Sequence, residues 1–350
     1  AANNDVFGLS GDGTNGGGAG TQPVSMETIE QIQVNVAPFD VRQGGFTGGA
    51  INAITKSGTN QFHGSVYGFG NNHNLIGSTY PLADGGYAPK YNKQQEYNVG
   101  VTFGGPIVKD KLFFFANYEK VNKTYPNLYT LGSEHSAVDA KKAKEILNMI
   151  DTIANRQGVN FPTTLSPEDI YTKSDKVGLK LDWNINETNK ASVRWSLVNA
   201  ALLREPGSRT ALNGSNYSFP FKSVTNSFIA ELQSRFSPYV ANEARASYVR
   251  VRDNRAITGE YPNVTIKSVG GGDINLGIER SSMANRLDQD IYTLEDNLTW
   301  YKGNHTFTFG THNELYKFTN LFLQDLFGSY TFKTYDAFVS YYNDYINGTI

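Results

Sequence analysis

None of the 350 residues is a cysteine, so the chain contains neither disulfides nor thiolate metal sites. No apolar run approaches the roughly 18 residues that a membrane-spanning helix needs. That leaves transmembrane strands open, because their lipid-facing residues fall only at every second position and hydropathy averages out. Neither sign of charge dominates: 31 Lys and Arg against 33 Asp and Glu give a net charge of −2. The charge balance therefore offers no support for a nucleic-acid partner. HExxH and GxSxG are both absent, which removes the zincin helix and the esterase elbow. The opening AANNDVFGLSGDGTNGGG has neither a basic start nor an apolar h-region, so the chain is expected to begin after processing or inside a longer polypeptide.

What the chain has in quantity is aromatic residues and glycine: 21 Tyr, 21 Phe and 35 Gly. That mixture suits many strands and turns. From residue 61 onward a two-residue period recurs. Tyr97, Val99, Val101 and Phe103 alternate with Glu96, Asn98, Gly100 and Thr102, and Val177, Leu179, Leu181 and Trp183 with Lys176, Gly178, Lys180 and Asp182. ASVRWSL and SFIAELQSRF repeat the pattern; DIYTLEDNLTW and HTFTFGTHNELYKF follow it, with Asp296 and Thr311 breaking the apolar face. About nine such strands lie between residues 61 and 318, each near the ~9–11 residues of a tilted membrane strand.

The connections alternate strictly in length. GGPIVKDK, NINETN, SPYVAN and YKGN are short, whereas 72–94, 123–173, 201–220, 254–287 and 319 onward are long. A sheet with two chemically different ends explains this, as in outer-membrane barrels with short periplasmic turns and long external loops. A half-buried soluble sheet produces the same residue alternation and is the competing reading. Two helices interrupt the pattern. SAVDAKKAKEILNMIDTIANRQG, with Ser136 as expected N-cap, lies inside the longest loop, and a second runs between Thr334 and Gly348.

Chemistry-bearing motifs are sparse. GDGTNG has the GxGxxG spacing, but no βαβ unit surrounds it and a glycine loop is the simpler reading. Asp5 and Asp12 lie among Asn and Gly without the ordered ligands of a calcium loop. No catalytic residue, metal ligand or cofactor is assigned. The strongest constellation is the set of charges on the polar strand face: Glu96, Lys180, Asp182, Arg194, Glu231 and Arg235.

VSMETIEQIQVNVAPFDVRQGGFTGGAINAITKSGTNQFHGSVYGF, preceded by NDVFGLSGDGTNGGGAGTQ, resembles the end of the plug and the first barrel strand of TonB-dependent outer-membrane transporters. It is similar in particular to the Oar-like, OmpA-related branch of Bacteroidetes. The resemblance implies an all-β, antiparallel transmembrane barrel of about 22 strands with an N-terminal plug segment in its lumen. Residues 1–60 would be the C-terminal part of the plug, and 61–350 the first strands and external loops of an incomplete barrel. It further implies active transport across the Gram-negative outer membrane, with peptide or protein as the favoured cargo. Energy would come from the TonB–ExbB–ExbD complex through an N-terminal region absent here. The surroundings would be outer-membrane lipids, with a lipoprotein or other envelope subunit as a candidate partner. Asp40, Arg42 and Lys56 are the expected plug contacts, with Glu96 and Glu231 as wall partners. Asn4, Asp5, Asp12, Tyr80, Tyr87 and Tyr91 are the substrate-facing candidates, the tyrosines for their large contact area and polar tip. The rivals are a structural, assembly or protein-export barrel, and an outer-membrane enzyme with its site among the external loops.

Overall fold

The computed structural model describes residues 17–36, 40, 42, 49–76, 93–165 and 169–350. Its first pair of strands, β1 (Ile29–Val36) and β2 (Gly49–Thr55), forms a separate two-stranded antiparallel sheet. Nine long strands follow in a single antiparallel sheet: β3 (His63–Asn72), β4 (Gln95–Val108), β5 (Leu112–Tyr125), β6 (Ile170–Asn184), β7 (Asn189–Arg204), β9 (Phe219–Ser237), β10 (Val240–Arg255), β13 (Ala284–Lys302) and β14 (His305–Leu323). Every strand pairs with its predecessor, giving the up-and-down order expected from the loop lengths. The strands reach 19 residues in β9, β13 and β14, longer than a bilayer crossing requires. The surplus lies at the long-loop end.

Register assigns the two faces. Phe103, Ala116, Leu179, Trp195, Phe228, Tyr248, Tyr292 and Leu315 are successive cross-strand partners from β4 to β14, so they share one face. Leu179, Leu181 and Trp183 stay exposed there, and among the described residues no second protein layer covers them. The aromatics fall into two rows. Toward the long loops, Trp195, Phe228, Tyr248 and Tyr292 follow one another, the last pair stacked at 4.8 Å between centroids. Toward the short turns, Trp300 packs against Phe307 at 5.5 Å, with the Lys302 ammonium over the indole. Two aromatic girdles flanking an apolar band are what a membrane-spanning wall requires. The opposite face is polar, and the N-terminal residues lie against it.

At the long-loop end the chain folds again. Four short strands, β8 (Ala211–Asn213), β11 (Asn263–Ile266), β12 (Asp273–Leu276) and β15 (Ser329–Phe332), form a sheet in the order β15-β11-β12-β8, joined by helices α1 (Ala140–Arg156) and α2 (Tyr335–Asn347). The six pieces come from four connections, with β11 and β12 sharing one and β15 and α2 another, and their apolar sides close over one core: Ile146, Ile150, Leu165, Leu212, Ile266, Ile274, Leu276 and Phe338 among others. Tyr335 donates to Glu145 and so ties α2 to α1. The first helix starts later than its sequence suggests. Val138 bridges Gly270 and the Asp139 amide donates to the Val269 carbonyl, which keeps these residues extended. Asp139 is therefore the N-cap, its carboxylate accepting from the amides of Lys141 and Lys142 at 2.9 and 3.1 Å, while Ser136 instead accepts from the Val138 amide. The second helix lies within the expected bounds; Thr334 caps it, and Gly348 ends it with φ of 70°.

Candidate functional site

The site with the most buried polar chemistry is where the N-terminal segment meets the polar face of the sheet. Its centre is a row of cross-strand partners, Tyr67, Gly100, Glu119 and Lys176, on β3 to β6. A Cβ on Gly100 would lie 2.3 Å from the Tyr67 ring. Glycine at that position lets the phenol lie across β4 and reach Glu119, to which it donates at 3.0 Å. On the other side Lys176 Nζ donates to Glu119 Oε1 at 2.8 Å. From the N-terminal segment, Ser25 Oγ donates to Glu119 Oε2 at 2.7 Å and also lies 2.7 Å from the Tyr67 hydroxyl. Ser25, Glu119 and Lys176 are 2%, 1% and 5% exposed. A carboxylate so desolvated needs its cation and its hydrogen bonds together.

Ser25 is itself held in place. The Met26–Thr28 turn returns the Thr28 amide and hydroxyl to the Ser25 carbonyl, the hydroxyl at 2.6 Å. Further contacts spread the attachment. Thr21 donates to Ser174 at 3.0 Å, Arg204 donates to the Gly18 carbonyl at 2.8 Å, and Lys180 donates to Ser57 at 2.7 Å. Ala19 packs with Val198 and Ala200. A cavity of about 40 Å³, lined in part by Ser25, Lys56, Lys176, Lys180 and Arg194, remains between the two parts. It has room for water, not for a substrate. Where the segment enters the wall, Gly58 comes so close to β4 and β5 that a Cβ would lie 2.3 Å from the Phe114 carbonyl oxygen. Beside it Asn60 accepts from the Asp110 amide at 2.7 Å and its own amide donates back to the Asp110 carboxylate.

The residues singled out from sequence sit elsewhere in this interface or outside it. Arg42 pairs with Asp40 at 2.6 Å, and that guanidinium holds the Asp40 carboxyl down at about 2. Lys56 pairs with Glu27 of its own segment at 3.2 Å, and also lines the cavity. Glu96 pairs with Lys123 across the β4–β5 ladder at 2.6 Å. Glu231 meets Arg245 at 3.0 Å in a ladder on the polar face that continues through Glu295 to His312. Among the described residues Asp40 and Arg42 pair with each other, Lys56 pairs within its own segment, and none of these three meets Glu96 or Glu231. Local pairing orders fewer side chains, which favours it. Asn4, Asp5, Asp12, Tyr80, Tyr87 and Tyr91 lie outside the described residues. Sequence reading did not single out Ser25, Tyr67, Glu119 or Lys176 as a set. The usable signal was Gly100, a residue without a side chain on the polar parity of β4; that Tyr67 and Glu119 flank it required the register.

The arrangement contains no nucleophile–base pair, and among the described residues no group of His, Asp and Glu is arranged to hold a metal. It joins the N-terminal segment to the sheet through hydrogen bonds, one of them to a buried ion pair.

The family model for an outer membrane beta barrel domain matches residues 54–137 and 133–349. The chain belongs to that family. Its place is the outer membrane of a Gram-negative cell, and its apolar strand face meets lipid. The TonB-dependent transporter Oar of Myxococcus xanthus is 34% identical over 118 residues, 33% of this chain and 11% of its own length. A probable TonB-dependent siderophore receptor, PirA of Acinetobacter baumannii, is 31% identical over 128 residues, 35% of this chain and 15% of its own length. The match thus spans only a small part of either relative. Among solved structures, the outer membrane transporter YddB of Escherichia coli superposes with a TM-score of 0.55 at 10% identity, over 84% of this chain and 36% of that one. That likeness carries the fold alone. The relatives are transporters or receptors, not enzymes.

Proposed function

We propose that the chain is part of a TonB-dependent outer-membrane transporter. In this reading residues up to about 60 are plug, the nine-stranded sheet is barrel wall, and the buried Ser25–Glu119–Lys176–Tyr67 set is the latch that keeps the gate shut. The observation that carries the reading is the Glu119 carboxylate, which takes bonds from the wall through Lys176 and Tyr67 and from the N-terminal segment through Ser25. Removing Ser25 from that carboxylate leaves the wall pair intact, so at Glu119 opening exchanges one charge-assisted bond for water and keeps Glu119 and Lys176 together, while the contacts of Thr21, Gly18 and Ser57 part separately. Such a bond contributes about 1.5–3 kcal/mol, small enough for a pull from TonB, energised by ExbB and ExbD, to overcome. The cargo in this reading is peptide or protein, and no covalent chemistry is involved.

Thr21 and Ser174, whose hydroxyl oxygens are 3.0 Å apart, offer a test in the full-length protein. Thr21→Cys with Ser174→Cys should form a disulfide that tethers plug to wall. Oxidised cells are expected to lose TonB-dependent uptake of a fluorescent casein digest, and a reductant should restore it. Uptake that continues with the tether closed, or that persists without TonB, overturns the gate. If reagent access to a Ser57→Cys plug site changes with TonB while no peptide enters, the gate stands and the cargo assignment falls.

A further inference from the structure

The lipid-facing side of the wall carries a polar interruption that the gate does not use. Asp296 lies on β13 four residues from Tyr292 and four from Trp300, and so roughly 13 Å along the strand from each aromatic row. Its cross-strand partners are Ala244 and Thr311, on the same outward face as Leu294 and Phe309, which are exposed. Asn242 Nδ2 donates to Asp296 Oδ1 at 2.8 Å, and Asn313 Nδ2 donates to Thr311 Oγ1 at 2.8 Å. Among the described residues no donor meets the other Asp296 oxygen. The neighbouring outward positions Ala230, Ala244 and Ala246 are small, and Asp296 stays exposed. Followed across the sheet, the residues in register with Asp296 beyond Ala244 are Leu232, Ala191 and Trp183, apolar as hydrocarbon demands.

A carboxylate halfway between two membrane girdles has no water and no lipid donor to meet it, and groups placed so are kept for a specific partner. We propose that the Asn242–Asp296–Thr311–Asn313 patch docks a membrane-spanning segment of a different protein that sets a lysine, arginine or amide donor against Asp296. Charge decides the occupant. A two-fold pair of this chain centred on the patch would oppose two carboxylates in hydrocarbon, whereas a cationic or amide side chain satisfies the free oxygen. The alanine floor lets the partner backbone approach closely, the usual arrangement where membrane segments pack.

The test uses the full-length protein in its native outer membrane, with a photo-crosslinking residue at Ala244 and, as control, at Val193. The joined peptides are sequenced by mass spectrometry. The expected product at position 244 is a membrane-spanning peptide of another chain containing Lys, Arg, Asn or Gln, and it is absent at 193. Asp296→Leu, which suits lipid and should preserve heat-modifiable migration, is expected to cut that product at least about tenfold, with Asp296→Asn in between. Any of four results overturns the proposal: lipid adducts alone, a peptide from a second copy, a peptide from elsewhere in the same polypeptide, or a product unchanged by Asp296→Leu.

Discussion

Phe338 and Leu179 are both large and apolar, yet Phe338 is 1% exposed and Leu179 48%. Phe338 belongs to the unit built by the long loops, external in the proposed reading, where segments from four loops bury their apolar sides against one another. Leu179 belongs to the wall, where no protein covers the outward face. The external unit excludes water and is held by its own core. The wall has backbone ladders and a polar inner face, and relies on lipid to cover the rest. One chain is thus stabilised by two solvents, and the same substitution should act differently in each part.

The largest expected contrast comes from truncating the external core. Phe338→Ala removes a fully buried ring, at a cost of about 3–5 kcal/mol. Hydrogen exchange followed by mass spectrometry on the full-length protein should show α1, α2, β11 and β12 losing protection while β5, β6, β7, β9 and β10 keep theirs. If wall amides lose protection in parallel, the two regions are one cooperative unit and the comparison breaks.

The next test exchanges the solvents. Val193 and Ser192 are neighbours on β7 with opposite faces, Val193 paired with Leu181 and Ser192 with Asp182. Val193→Arg places a charge in hydrocarbon and should destabilise the protein in lipid vesicles by about 2–4 kcal/mol. Ser192→Arg faces the polar side near Glu231 and should change stability by less than about 1 kcal/mol. Urea unfolding of the two variants in vesicles measures the difference. Equal effects would mean that the outward face does not meet lipid.

The wall was largely legible in the sequence and the external unit was not, for one physical reason. An every-other-residue pattern as in KVGLKLDWN needs only local geometry, so it declares both strand and face. NVTI and DINL, the strands β11 and β12, are too short for any period to emerge. Their buried Ile266 and Ile274 make sense only once four loops have met. The buried Ser25–Tyr67–Glu119–Lys176 set was hidden similarly. Glu119 and Lys176 are register partners across a loop of more than 40 residues, and alternation gives the face of each without the pairing. Ser25 lies in a turn with no periodic signature at all. Asp296 and Thr311 were visible as breaks in the pattern; that they are direct neighbours required the register.

The smallest expected effect is acid sensitivity confined to the external unit. Asp139 has its carboxyl held below the ordinary value chiefly by the Lys142 amide it caps, and Asp325 by the Arg280 guanidinium. A carboxyl whose folded pKa is depressed adds stability above its unfolded value of about 3.9, and that stability is lost as pH falls through the folded value. Between pH 8 and 5 the external unit should therefore be indifferent to pH. Below about 4 the α1 start and the Arg280–Asp325 clasp should loosen, while the wall strands, covered by lipid, stay intact. Pepsin works across that range, so cleavage sites mapped from pH 5 to 2 report it directly. Asp139→Asn keeps a side chain able to cap the helix but removes the titration, and should flatten the acid-induced rise in cutting around residues 136–142. If Asp139→Asn is cut as the parent is, the capping carboxylate does not set the acid response, and the clasp at Asp325 is left to account for it.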